Sequence, residues 1–202
     1  MTDELIPSNQ VGKQLDLTST IEKKSREEAE ALYNKAAARL LLPGGWQQIA
    51  GWASAEFTAF DDSQQILSRP VKEGDYIRIN IPGPGTSKGE GYDWVRVGLV
   101  SDETDKDYIA QYLGLRLDTS TDPFADDPGT AHFFEEGASS TLLIIRKGNT
   151  VQSSYHGRNE RINNRTDKVL DNIRNTLTGA GALGGLSELQ WNGLLKGLLS
   201  ET

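Results

Sequence analysis

The run Tyr155-His156-Gly157-Arg158-Asn159-Glu160-Arg161 gathers an imidazole, a carboxylate and two guanidiniums within seven positions. A His–Glu pair can exchange protons with a substrate, and arginines can hold an anion through paired, charge-assisted hydrogen bonds. His156, Arg158, Glu160 and Arg161 are therefore candidates for a site that takes a small polar anion. The competing reading is a strand end whose charges pair locally. His132 is the only other histidine, and nothing in the sequence brings it near His156. Two histidines cannot make a three-histidine metal centre; a histidine–carboxylate site stays open, but no metal site is predicted.

A second candidate is the stretch Pro82-Gly83-Pro84-Gly85-Thr86-Ser87-Lys88-Gly89-Glu90-Gly91. It has the glycines and the lysine of a phosphate loop but not the order, because Lys88 follows Ser87 and precedes its glycine. Neither flank reads as the helix whose N-terminus would hold an anion. What the stretch does resemble is a hairpin tip. It either hangs free or closes over a shallow site formed by Lys88, Tyr92 and Trp94. The third candidate is a surface. The last helical segment carries Trp191, Leu194, Leu195 and Leu198 on one side, which either docks on the chain's own core or meets a protein partner or a second copy.

Several chemistries are excluded or weakened. The chain has no cysteine, so thiolate nucleophiles, disulfides and Cys-ligated metals are absent. Gly85-Thr86-Ser87-Lys88-Gly89 matches G-x-S-x-G, but no following helix makes the sharp strand-to-helix elbow that such a serine needs, and Ser153-Ser154 falls in a strand. The acidic run from Asp102 to Asp107 lacks the alternating ligands and bend glycine of an EF-hand loop. No cofactor signature is found, so none is expected. Between residues 101 and 136, ten acids stand against two bases, which matches the net charge of −8 for the whole chain. Between residues 146 and 174 the sign reverses to a local +4. Such a split suits contact with another protein or with a second copy. No overall basic excess exists to neutralise nucleic acid phosphates.

The elements that must position these groups follow from periodicity. Residues 1–17 read as a flexible arm. Thr18 or Ser19 would cap a helix over residues 18–42, ended by Pro43-Gly44-Gly45. Alternation predicts strands near residues 55–60, 76–81 and 92–98, and a further strand is expected at 65–69. The buried-type run Leu142-Leu143-Ile144-Ile145 with the turn Lys147-Gly148-Asn149 predicts a hairpin of 141–146 and 150–156. Residues 108–117 suit either a helix or a strand. Thr166 or Asp167, then Ser187, would cap two closing helices within residues 166–200. With no run of about 18 apolar residues and no apolar leader segment at the N-terminus, a cytoplasmic protein without a membrane span is expected.

The reading is one α+β domain over residues 18–202. A small antiparallel β-barrel, SH3-like or sandwich-like, fills residues 53–160, flanked by the N-terminal helix and a C-terminal helical hairpin. The leading functional expectation is a non-catalytic interaction or assembly module. The alternative is an enzyme or binder for a small polar anion at residues 155–161.

Overall fold

Leu15, Leu17, Ser19 and Ile21 alternate with Asp16, Thr18, Thr20 and Glu22, and this period of two makes strand β1 (Lys13–Glu22) where the sequence predicts an arm and a helix start. The β-branched Thr18, Thr20 and Ile21 favour the extended chain. In the computed structural model, the described residues are 4–51, 55–80, 92–105, 109–125, 137–161 and 188–201. Helix α1 (Arg26–Leu40) begins at Ser25, whose hydroxyl accepts from the Glu28 N–H at 3.2 Å. Glu28 reaches back to the Lys24 N–H at 3.3 Å, so the helix start lies several residues beyond the expected Thr18 or Ser19.

A 3-10 turn (Pro43–Gly45) leads into the short α2 (Trp46–Ala50). Six strands follow: β2 (Glu56–Phe60), β3 (Tyr76–Asn80), β4 (Asp93–Thr104), β5 (Ala110–Ser120), β6 (Ser139–Lys147) and β7 (Thr150–Glu160). Helix α3 (Glu188–Leu198) closes the described chain. The ambiguous stretch near residue 110 is a strand. The strand expected at residues 65–69 is reduced to a single bridge between Phe60 and Ile66. The tip at residues 82–91 and the first helix of the expected C-terminal hairpin lie outside the described residues.

The seven strands make one antiparallel sheet in the order β1-β7-β6-β5-β4-β3-β2. Consecutive β1 and β2 therefore sit at opposite edges, with α1 and α2 crossing between them. Among the described residues no pairing joins those edges, so the architecture is an open α+β sheet rather than the expected barrel. Helix α1 packs on β6 and β7, and α3 on β1 and β7, both on the sheet's inner face. Leu113, Leu115, Leu117, Leu142, Ile144, Val151 and Tyr155 meet Leu32, Ala36, Leu40, Leu194 and Leu198 there.

Helices α2 and α3 approach closely because Gly193 and Gly197 face the Ala50 and Ile49 carbonyl oxygens, where a β-carbon would collide. Arg39 donates to the carbonyls of Gly197 at 3.0 Å and Ser200 at 2.7 Å, satisfying groups that the end of α3 leaves open. No described helix is long and apolar enough to cross a membrane.

Residues before β1 are also placed, contrary to the expected free arm. Leu5 is 3% exposed on the outer face, seated over Gly114 and against Leu143. Thr141 donates to its carbonyl at 2.8 Å, and Arg116 to that of Glu4. Leu5→Ala is expected to destabilise by about 2 kcal/mol, the low end for a buried leucine because a segment near the chain start can partly settle into the gap. A urea titration with unchanged slope checks this; a loss under about 0.5 kcal/mol would show that the strap contributes nothing.

Candidate functional site

In a regular strand, His156, Arg158 and Glu160 share one face. The structure keeps the first two together and separates the third. On the outer face, β1–β7 pairing sets Asp16 opposite His156. Asp16 Oδ1 lies 2.6 Å from His156 Nδ1 and accepts from Arg158 Nη2 at 2.7 Å, while Oδ2 accepts from Gln14 Nε2 at 2.8 Å. Burial pushes the Asp16 carboxyl up, but the hydrogen bonds from Gln14, Arg158 and His156 outweigh it and hold the group at about 2. Arg158 also donates to the Gly157 carbonyl at 2.8 Å, so its guanidinium is engaged rather than held out to an anion.

His156 Nε2 stands 3.1 Å from Ser154 Oγ, which completes a Ser–His–Asp sequence of contacts. In the tautomer with its proton on Nδ1, the ring donates to the carboxylate and accepts from the serine at Nε2. Acyl transfer needs a nucleophile that a carbonyl carbon can reach. Ser154 is 1% exposed in a straight run of β7, so this arrangement works as a polar clasp between edge strand β1 and the sheet.

The inner face holds the other group. Asn159 takes a left-handed backbone (φ 56°), and the β1–β7 register shifts between Lys13 and Leu15. The preceding segment secures this bulge: the Gln10 and Val11 N–H groups donate to Asn159 Oδ1 at 2.8 and 3.2 Å, and Asn159 N–H donates to Asn9 Oδ1 at 2.7 Å. The extra residue turns Glu160 onto the inner face, where its carboxylate lies over Gly157 in space that a β-carbon would fill. Tyr155 donates its hydroxyl proton to Glu160 Oε1 at 2.9 Å and accepts from Ser140 at 3.0 Å. Trp191 of α3 stacks on the Tyr155 ring, with centroids 4.1 Å apart. Burial pushes the Glu160 carboxyl above its ordinary value, against the pull of Tyr155, Lys13 and Arg158. Burial, then the Glu160 charge, pushes the Tyr155 phenol well up. On the same inner face, Leu15 of β1, Thr119 of β5, Val95 of β4 and Ile79 of β3 are half-buried.

The remaining candidates lie elsewhere. Trp94 is on the outer face of β4, three strands from β7, packed against Phe60 (5.5 Å) and Phe124 (5.4 Å). Tyr92 is exposed, with the Arg78 guanidinium 4.1 Å above its ring. Arg161 is exposed past the end of β7, its stem against Gly12. Lys88 and His132 fall outside the described residues. Trp191, Leu194, Leu195 and Leu198 are all buried in the chain's own core.

No family model matches the sequence, and no curated protein matches it. Solved structures give a distant likeness. The major latex-like protein 151 of Panax ginseng is 15% identical over 81% of this chain and 93% of its own, with a TM-score of 0.34. A point mutant of norcoclaurine synthase from Thalictrum flavum, solved with a transition-state analogue, is 8% identical over 94% and 98%, with a TM-score of 0.37. The same enzyme with dopamine and hydroxybenzaldehyde is 9% identical over 94% and 89%, with a TM-score of 0.36. Identity and superposition are both too low to transfer those proteins' ligands to this chain.

Sequence reasoning missed Asp16 and Ser140, and it placed Tyr155 in the 155–161 cluster without a role for its hydroxyl. The alternation of Leu15, Leu17, Ser19 and Ile21 is the signal that would have placed Asp16 in a strand. Nothing local announces the bulge at Asn159.

Proposed function

We propose that this chain binds a small, mainly apolar molecule with a neutral hydroxyl head on the inner face of its sheet. The observation that carries the reading is Glu160, turned inward by the Asn159 bulge onto the buried Tyr155–Ser140 pair. Half-buried Ile79, Val95 and Leu15 offer the ligand body apolar surface, and Glu160 offers its head a hydrogen bond. The raised carboxyl pKa disfavours charge at this point, which selects a neutral head over an anionic one. This departs from the anion reading of the sequence, because Arg158 is held by Asp16 on the opposite face. The partner reading loses the support of Trp191, Leu194, Leu195 and Leu198, since the core takes all four.

The test uses N-phenyl-1-naphthylamine, a neutral probe that fluoresces in apolar sites. Saturable binding to the full chain is expected, with octanol displacing the probe at about tenfold lower concentration than octanoate. Val95→Arg should abolish probe binding while the thermal transition remains. A probe that does not saturate, or binds Val95→Arg equally well, would exclude this site.

A further inference from the structure

We propose that a second site, the groove between α1 and the far ends of β4 and β5, binds a small organic ammonium ion with a single-ring apolar body. The groove encloses about 300 Å³, with Tyr33, Asn34, Ala37 and Leu41 on one wall and Asp102, Thr104, Gln111 and Leu113 on the other. That volume sits at the lower end of the roughly 300–1,000 Å³ typical of ligand pockets, which suits a ring rather than a long chain.

Two of its polar side chains, Tyr33 and Asp102, make no hydrogen bond or ion pair with a described residue, and a third, Gln111, is held in place. Tyr33 is 4% exposed and lines the groove, yet its hydroxyl makes no hydrogen bond to any described residue. The ring is buried and the hydroxyl opens onto the groove, since among the described residues Ser139 Oγ is the only buried side-chain polar atom without a partner. Asp102 is exposed at the rim, and no described residue forms an ion pair with it. Its neighbour Asp105 is differently placed, because that carboxylate accepts from the Ile109 and Ala110 N–H groups at 2.6 and 3.0 Å and closes a turn. Gln111 is fixed by Arg146, whose Nε donates to its carbonyl oxygen at 2.6 Å.

The sign of the ligand follows from the local field. Arg146 is fully buried behind Gln111 and would favour an anion; Asp102, on the groove face of β4, favours a cation. At the Tyr33 hydroxyl the carboxylate wins: burial, then Asp102, pushes that group up to about 12 against the opposing pull of Arg146. An ammonium can donate to Asp102 and to the Tyr33 oxygen together while its ring covers Ala37, Leu41 and Leu113. This site is independent of Glu160, which belongs to the opposite end of β7.

The experiment titrates the ¹⁵N-labelled full chain with benzylamine, benzyl alcohol and sodium benzoate. Benzylamine is expected to give saturable shifts clustered on Tyr33, Asp102, Gln111 and Leu113. Asp102→Asn should weaken its binding about fivefold with no change in thermal transition, and Glu160→Gln should leave it as it was. Ala38→Leu, which fills the rim, should weaken benzylamine and benzyl alcohol alike. Equal binding of benzoate, undiminished binding to Asp102→Asn, shifts centred on Glu160 and Tyr155, or no saturation would each overturn the proposal.

Discussion

Trp191→Ala is expected to destabilise the chain by about 3–5 kcal/mol, the cost of emptying a buried indole site. Trp191 is 6% exposed and stacks on Tyr155 at 4.1 Å with planes inclined by 22°. Helix α3 has eleven residues, too short to persist without tertiary contacts. Its attachment rests on Trp191, Leu194, Leu195 and Leu198, together with the Ser153 hydroxyl, which donates to the Leu195 carbonyl at 2.9 Å. Removing the indole opens a cavity beneath α3 and frees the Tyr155 ring on which Glu160 rests. For a chain of this size the transition should fall by about 10 °C, at 2–4 °C per kcal/mol. Trp191→Phe, which keeps an aromatic plane over Tyr155, should recover more than half of the loss. The proposed inner-face site should suffer with it, so N-phenyl-1-naphthylamine should bind Trp191→Ala less tightly at temperatures where the variant is still folded. A loss under about 1 kcal/mol would mean that α3 is only loosely held.

The same helix shows what the sequence could say. Its apolar side was legible because Trp191, Leu194, Leu195 and Leu198 recur at three- and four-residue spacing. Which surface that side met was not, since periodicity reports a buried face and not its partner. The β6–β7 hairpin was equally legible: the continuous apolar run Leu142-Leu143-Ile144-Ile145 precedes Gly148, whose positive φ of 57° suits the tight turn. Strand β1 was misread because Thr18 and Ser19 are good helix caps in isolation. The true cap, Ser25 with Glu28 three residues on, carried the stronger capping-box pattern. An open sheet and a barrel present the same alternation, so closure could not be read from strands alone. The site was hidden for a different reason. Asp16 and His156 are 140 positions apart, and the bulge at Asn159 reverses the face of Glu160 after parity had joined it to Arg158.

That long-range contact supports the second large effect, on Asp16→Ala. The substitution leaves Arg158 buried without its carboxylate and His156 without its Nδ1 acceptor, and it is expected to cost about 3 kcal/mol. Most of that loss is the penalty of an unpaired buried guanidinium rather than the worth of the pair. Adding Arg158→Met to the same variant should therefore recover much of it. The charge of Asp16 is a separate and smaller quantity. Its carboxyl falls from 3.8 to about 2 on folding. Taken at face value that shift is worth about 2.4 kcal/mol, but the side chain is 42% exposed, and solvent screening brings the figure to about 1 kcal/mol. Because the folded value is the lower one, this stability is present in full above pH 3.8 and is lost as the pH falls through about 2. Wild type should thus exceed Asp16→Asn by about 1 kcal/mol at pH 5, and the two should converge near pH 2, as read from urea midpoints at each pH. A gap that stays constant with pH would mean that the clasp acts through shape and hydrogen bonding alone. A gap that grows in acid would place the charge elsewhere.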